Sequence, residues 1–122
     1  MSKYNFTKIE HPSPKTAEER AALMANPGFG KVFSDHMVTI KWSTDKGWRD
    51  AQIRAREPFL IDPASSVLHY AQEIFEGMKA YRMADGSLAL FRPEENARRF
   101  NESAECMAMP EIPEDMFIEA VE

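Results

Sequence analysis

Apolar and polar residues alternate in two stretches of the chain, with the period that is typical of a half-buried strand. Between Met37 and Trp42, the residues Val38, Ile40 and Trp42 fall on one face and polar residues fall on the other. A weaker alternation at residues 51–55 predicts a second strand beyond a turn. Two short strands joined by a turn are typical of an antiparallel pair.

Helical spacing occurs in the segments on either side of these strands. Thr16 and Glu19 form a capping-box pattern, and the helix that they open is expected to end near Ala25. Asp62, which is followed by proline, is expected to cap a second helix that continues to Gly77. Both predicted helices therefore carry a start signal in the sequence.

A hairpin and two further helices are predicted in the rest of the chain. Ala84-Asp85-Gly86 is a turn sequence between two short apolar runs, which indicates the hairpin. Pro93 and Pro113 are each followed by acidic residues, the pattern of a helix start. The face that the first of these helices buries is expected to contain Ala97, Phe100, Ala104 and Met107.

The order helix, strands, helix, hairpin, helix, helix predicts an α+β fold, with an antiparallel sheet covered by helices on one side. Residues 1–15 are expected to form an extended arm, because Pro12 and Pro14 disfavour helix. Residues 16–122 are expected to form one domain. The last helix carries no stop signal, so we expect the sequence to be a piece of a longer protein.

Composition narrows the classes of function that the chain can have. Its 122 residues carry a formal net charge of −5, which argues against nucleic acid as a main partner because phosphate binding needs a basic face. No apolar run approaches the length of a membrane span, and the polar start shows no secretory signal. A single cysteine, Cys106, indicates a reducing compartment, and we expect a cytoplasmic protein.

Residue chemistry alone gives few candidate sites. A metal site would require His11, His36 and His69 to converge from scattered positions, so we expect none. Cys106 lies beside the apolar stripe of a predicted helix, which favours packing over a reactive role. The segment Phe75-Glu76-Gly77, at a predicted helix-to-strand junction, is on these grounds a core phenylalanine with a glycine cap.

A family resemblance changes the interpretation of that segment. Residues from about Gly28 to the end resemble the branched-chain aminotransferases of the fold-type IV enzymes that use pyridoxal phosphate (PLP). The Phe-Glu-Gly signature is shared with D-amino acid aminotransferases and aminodeoxychorismate lyases, whereas ASSVLHY at 64–70 resembles the branched-chain group. The segments that carry the resemblance are GFGKVFSDHMVTIKW, DKGWRDAQI, LHYAQEIFEGMKAYR, LALFRPEENARRF and SAECMAMP.

The resemblance implies an amino-terminal small domain, with PLP bound between it and a larger domain in a homodimer or an assembly of dimers. Leucine, isoleucine or valine would pass its amino group through the cofactor to 2-oxoglutarate, giving a branched 2-oxo acid and glutamate. The family's catalytic lysine belongs to the larger domain, and none of the lysines here, Lys79 included, matches it. We therefore expect this chain alone to be inactive, and to expose an apolar face where it would meet the rest.

The resemblance also assigns roles to five positions. Arg99 matches the arginine that binds the cofactor phosphate, a role that suits the paired donors of a guanidinium. Phe75 and Phe29 match aromatic residues of the substrate pocket, and Tyr70 matches a tyrosine that closes the pocket from across the dimer interface. Gly77 matches a glycine whose backbone lies close to the substrate.

Two other functions stay open from the sequence. A related fold-type IV transaminase or lyase would prefer another substrate, which a comparison of leucine with D-alanine would separate. A non-catalytic interaction module with the same fold would be encoded with a natural stop codon after Glu122.

Overall fold

The computed structural model describes residues 3–122 and combines helices with two small sheets, so the predicted α+β class is confirmed. The chain divides into two compact units. We call Asn5–Phe59 the amino-terminal unit, and Leu60–Glu122 together with Lys3 and Tyr4 the carboxy-terminal unit. Residues 1 and 2 of the predicted arm lie outside the described residues.

A three-stranded sheet and one helix make up the amino-terminal unit. Strands β2 (His36–Ser43) and β3 (Gly47–Ala55) pair in antiparallel fashion, as predicted, but β1 (Thr7–Lys8) pairs with β3 in parallel. The expectation of a purely antiparallel sheet is therefore wrong, because part of the extended arm docks as a strand and continues with a hydrogen bond from Ile9 N to Ile53 O (2.9 Å). The elements are β1 (Thr7–Lys8), α1 (Ala17–Ala25), β2 (His36–Ser43) and β3 (Gly47–Ala55).

Helix α1 begins and ends where the sequence predicts. The Thr16 hydroxyl accepts a hydrogen bond from Glu19 N (3.2 Å), and the Glu19 carboxylate accepts one from Thr16 N (2.7 Å). This reciprocal pair satisfies two amides that have no partner within the helix. The helix ends at Ala25, just before Asn26 and Pro27.

The pairing of β2 with β3 is interrupted by a bulge at Asp50. Thr39 pairs with Gln52, but Lys41 pairs with Arg49, so β3 contains one residue more than β2 in this interval. Asp50 adopts a left-handed backbone with φ 53°, and its carboxylate lies 3.6 Å from Lys41 Nζ. The apolar pattern of β2 predicts the strand but not the bulge, because the additional residue lies on its partner.

Five elements form the carboxy-terminal unit, and they include the predicted hairpin. Strands β4 (Ala80–Arg82) and β5 (Leu88–Leu90) pair in antiparallel fashion. In the turn between them, Asp85 Oδ1 accepts hydrogen bonds from Ser87 N (2.9 Å) and Ser87 Oγ (2.6 Å). The elements are α2 (Ser66–Tyr70), β4 (Ala80–Arg82), β5 (Leu88–Leu90), α3 (Pro93–Cys106) and α4 (Glu114–Val121).

The predicted helix from Asp62 to Gly77 is much shorter in the structure. Asp62 Oδ1 accepts a hydrogen bond from Ala64 N (2.8 Å) in a turn, and the helix that follows ends at Tyr70, with Ala71 left-handed at φ 49°. Residues 71–79 have no regular secondary structure. Side-chain hydrogen bonds replace the helical ones in this segment, as when Gln72 Nε2 donates to the Met107 carbonyl (2.9 Å).

The core of the carboxy-terminal unit lies between α3 and α4. The rings of Phe100 and Phe117 are 5.2 Å apart. The Asn101 side chain donates to the Ile112 carbonyl (2.8 Å) and accepts from the Ile112 amide (3.0 Å), which ties the connecting loop to α3. On the predicted inner face of α3, Phe100 and Met107 are half-buried. The buried residues of this core are Ala97, Ala104, Ile112 and Met116.

Within each unit, the helices do not cover the strands as predicted. Within each unit, the extensive contacts between elements join β1 to β3, β2 to β3, β4 to β5 and α3 to α4. Several large apolar side chains lie at the surface, among them Phe59 in the amino-terminal unit and Leu60, Leu88 and Phe91 in the carboxy-terminal unit. No helix in the described part of the chain is both long and apolar enough to span a membrane.

Candidate functional site

One carboxylate, that of Glu76 in the segment before β4, joins most of the candidate site. Its side chain is only 6% exposed. Arg99 donates to it twice, from Nε to Oε2 (2.7 Å) and from Nη2 to Oε1 (2.5 Å). Oε1 also accepts from Asn96 Nδ2 and from the Gly77 amide, both at 2.9 Å. Four N–H groups therefore converge on one side chain.

Helix α3 supplies three of these four N–H groups, from the side chains of Asn96 and Arg99. Asn96 and Arg99 are three residues apart and so lie on the same face, while Ala97 and Ala104 are buried. Asn96 Nδ2 also donates to the Gly77 carbonyl (3.1 Å). Both backbone polar groups of Gly77 are thus held by side chains, which fixes the glycine without strand pairing.

The electrostatics of the cluster favour the charged forms of both partners. The Arg99 guanidinium, followed by the Asn96 amide and the Gly77 N–H, lowers the pKa of the Glu76 carboxyl to about 2, although desolvation opposes the shift. The same contact raises the pKa of Arg99. Glu76 is therefore an anion, and Arg99 a cation, at neutral pH.

Arg99 keeps a free edge that fits a phosphate group. Its side chain is 64% exposed, and Nη1 makes no hydrogen bond within residues 3–122. A guanidinium has five N–H donors, so binding a carboxylate through Nε and Nη2 leaves a second pair at its terminal edge. Such a pair matches two oxygens of a phosphate with charge-assisted hydrogen bonds.

Phe75 and Gly77 lie beside this arginine cluster. The Phe75 ring is 89% exposed, and a Cβ atom at Gly77 would lie 3.5 Å from Phe75 Cζ, so the ring packs closely over the glycine. An open hollow of about 400 Å³ extends from Phe75 along α3. Its remaining lining residues are Glu73, Ile74, Glu102, Ser103, Cys106 and Met107.

Tyr70 and Phe29, the other predicted pocket residues, are not part of this cluster. Tyr70 is the last residue of α2 and is 82% exposed. Phe29 belongs to the amino-terminal unit, where it is 99% exposed between Gly28 and Gly30, whose φ angles are 62° and 68°. Their roles in a substrate pocket stay predictions.

Sequence reasoning missed Glu76 and Asn96. The spacing of Asn96 and Arg99 predicts a shared helix face, but the acceptor that this face meets comes from a segment about twenty residues earlier. Cys106, which we expected to pack, is exposed instead, because it lies beside the buried stripe of α3 and not in it. Among residues 3–122, no group of three or more His, Cys, Asp or Glu could hold a metal ion.

A separate cavity of about 330 Å³ lies in the amino-terminal unit. The Lys15–Asp35 ion pair lies in its wall, and the Arg56 guanidinium is 4.1 Å from the centre of the Phe33 ring. The cavity is lined by none of the five residues to which the family resemblance assigned roles.

Comparison with known proteins identifies relatives that are much longer than this chain. No family model matches it. It is 60% identical over 107 residues to a probable branched-chain-amino-acid aminotransferase of Streptomyces coelicolor. The aligned residues make up 88% of this chain and 30% of that relative. For the branched-chain-amino-acid aminotransferase of Mycolicibacterium smegmatis, identity is 52% over 116 residues, 95% of this chain and 32% of the relative. For the cytosolic branched-chain-amino-acid aminotransferase of Saccharomyces cerevisiae, the identity is 41% over 117 residues, which are 94% of this chain and 29% of the relative. The chain spans about 30% of the length of these curated relatives.

The depressed pKa of Glu76 predicts a specific loss of stability in acid. A carboxyl that is more acidic in the folded than in the unfolded protein stabilises the fold while charged, so its contribution is complete above about pH 4.5 and disappears towards about pH 2. We expect this contribution to be on the order of 2 kcal/mol, after allowing for screening of the exposed guanidinium. Urea unfolding across this pH window should therefore show a shallower pH dependence for Glu76→Gln than for the wild type. An NMR titration that places the Glu76 carboxyl near its ordinary pKa would contradict this prediction.

Proposed function

Because this chain belongs to the family of branched-chain-amino-acid aminotransferases, we propose that it is the amino-terminal small domain of such an enzyme, of fold type IV and dependent on PLP. The enzyme transfers the amino group of leucine, isoleucine or valine to 2-oxoglutarate. The observation that supports this most directly is Arg99, which is held by Glu76 with one edge open beside Phe75 and Gly77.

In this proposal, Arg99 binds the phosphate group of the cofactor through its exposed edge. A guanidinium is always charged and presents planar, paired donors, so it both attracts and orients a phosphate. When bound, PLP supplies the electron sink that the transfer of an amino group requires. The task of Arg99 is to fix one end of the cofactor, so that the reacting end takes up a defined position.

Phe75, Gly77, Tyr70 and Phe29 form the chain's part of the substrate pocket. A branched aliphatic side chain prefers apolar and aromatic walls, which remove it from water. Phe75 supplies such a surface, and the absence of a Cβ atom at Gly77 leaves room for its ring. The family resemblance assigns the Gly77 backbone a position close to the substrate. Tyr70 closes the pocket from the second subunit of a homodimer, and Phe29 adds an aromatic wall from the glycine-flanked turn.

The remaining machinery belongs to the larger domain. The lysine that bonds to the cofactor, the group that holds its ring nitrogen and the site for the substrate carboxylate are assigned to that domain. Residues 16–122 then form the small domain that packs against it, which accounts for the many exposed apolar side chains. We place the protein in the cytoplasm, in line with its single cysteine and with the cytosolic location in the name of the yeast relative.

The decisive experiment is an assay of the longer protein that carries this chain, with leucine, 2-oxoglutarate and added PLP. We expect glutamate to form with leucine, isoleucine and valine, and the 122-residue chain alone to give none. Activity with D-alanine but not with leucine would favour a related transaminase or lyase of the same fold. A natural stop codon after Glu122 would favour a non-catalytic interaction module.

Removing the Arg99 side chain should weaken cofactor binding. Loss of a charge-assisted pair of hydrogen bonds corresponds to about a tenfold or larger rise in the Kd for PLP. The matched control is Arg98→Ala, because Arg98 is the next residue of the same helix and pairs with Glu95 instead (2.7 Å). Equilibrium dialysis of the longer protein measures both variants, and an unchanged Kd in Arg99→Ala would remove Arg99 from the site.

Shortening Phe75 should reduce discrimination between substrates. Loss of an aromatic wall removes contacts that valine makes and alanine cannot, so we expect the ratio of kcat/KM for valine to that for alanine to fall about tenfold in Phe75→Ala. Phe91→Ala is a suitable control, because Phe91 is also a strongly exposed phenylalanine, located after β5. An unaltered ratio in Phe75→Ala would count against the pocket assignment.

A further inference from the structure

The Glu76 carboxylate accepts hydrogen bonds both from the Arg99 guanidinium and from the backbone amide of Gly77. We propose that it is a positioning residue for cofactor binding, which acts by holding the Arg99 guanidinium in the plane and direction that a phosphate requires. This inference rests on the proposed function, since it concerns the same arginine. It concerns a residue for which the family resemblance supplied no role.

The geometry of the contact supports positioning. A free arginine side chain samples many rotamers, and ordering it on binding costs conformational entropy. Glu76 removes much of this freedom in advance, because two parallel hydrogen bonds, to Nε and Nη2, define the guanidinium plane. The carboxylate is itself held, since it also accepts from Asn96 and from the Gly77 amide.

Because Glu76 is charged, a positioning role and a purely electrostatic effect predict opposite changes in cofactor affinity. A carboxylate next to a phosphate-binding arginine repels the phosphate, so a purely electrostatic view predicts that neutralising Glu76 tightens cofactor binding. A positioning role predicts the opposite, because glutamine offers one acceptor where the guanidinium needs two. The sign of the change in affinity therefore separates the two views.

The contact also connects the phosphate site with the pocket segment. Asn96 bridges Glu76 and the Gly77 carbonyl, so the orientation of Arg99 and the backbone beneath Phe75 depend on one network. Helix α3, with its buried Ala97 and Ala104, provides a rigid base for the donors. Such support from neighbouring side chains is the usual means by which a binding group is held in place.

The test measures two ligands, PLP and pyridoxal, with the longer protein. Pyridoxal lacks the phosphate, so a change confined to the phosphate grip should leave its Kd unaltered. We expect Glu76→Gln to raise the Kd for PLP about tenfold and to leave that for pyridoxal within about twofold. If Glu76→Gln impairs folding, Glu76→Asp serves as the second variant, because it retains the charge with a shorter reach. We expect its Kd for PLP to lie between the wild-type value and a tenfold higher one.

Two further variants show whether Glu76 acts through Arg99. In an Arg99→Ala background, Glu76→Gln should have little additional effect on PLP affinity, as in a double-mutant cycle between coupled residues. Glu95→Gln is the control for loss of a charge, because Glu95 pairs with Arg92, just before α3, and with Arg98 of α3, and Arg99 pairs with Glu76 instead. It should bind both ligands as the wild type does.

Each contrary outcome has a distinct meaning. Tighter PLP binding in Glu76→Gln, equal losses for PLP and pyridoxal, or a full additional loss in the Arg99→Ala background would each overturn the positioning role. A wild-type protein that binds no PLP would instead overturn the proposed function. Weaker PLP binding in Arg99→Ala with no change in Glu76→Gln would retain the function and remove the inference.

Discussion

The paired hydrogen bond between Arg99 and Glu76 is the interaction on which the candidate site depends. It joins a helix to a segment that has no regular secondary structure of its own. Backbone groups outside helices and sheets still need partners, and here Glu76 and Asn96 supply them to Gly77. Glu76 therefore serves the backbone of this segment and Arg99 at the same time.

This arrangement explains how an aromatic ring and a glycine can both be presented outward. In a strand or a helix, the backbone groups of residues 71–79 would form regular hydrogen bonds, and the direction of each side chain would be restricted. Side-chain hydrogen bonds hold the segment in an irregular path, in which Phe75 is exposed over Gly77. Helix α3 fixes the positions of the side chains that form these hydrogen bonds. Its small buried alanines allow it to pack closely against α4.

Local rules predicted the elements whose signals are local. The Thr16 capping box, the turn around Asp85 and the buried Ala97 of α3 all depend on neighbours within a few residues. The parallel strand β1 was missed, because two residues are too few to show a period. The long second helix was wrong, since hydrogen bonds to distant residues outweigh helical spacing beyond Tyr70.

The site shows the same division between local and distant information. Arg99 is indistinguishable from a solvated helix charge by spacing alone, and only the family resemblance selected it. That resemblance assigned roles to single residues, whereas Glu76 acquires its importance from a bond to a residue 23 positions away. A carboxylate within a signature motif is most readily taken for a reacting group. Its low pKa and its four donors indicate a permanent anion whose function is to hold other groups in place. Consequently, a residue of such a motif can contribute to binding by holding another side chain in place, without touching the ligand itself.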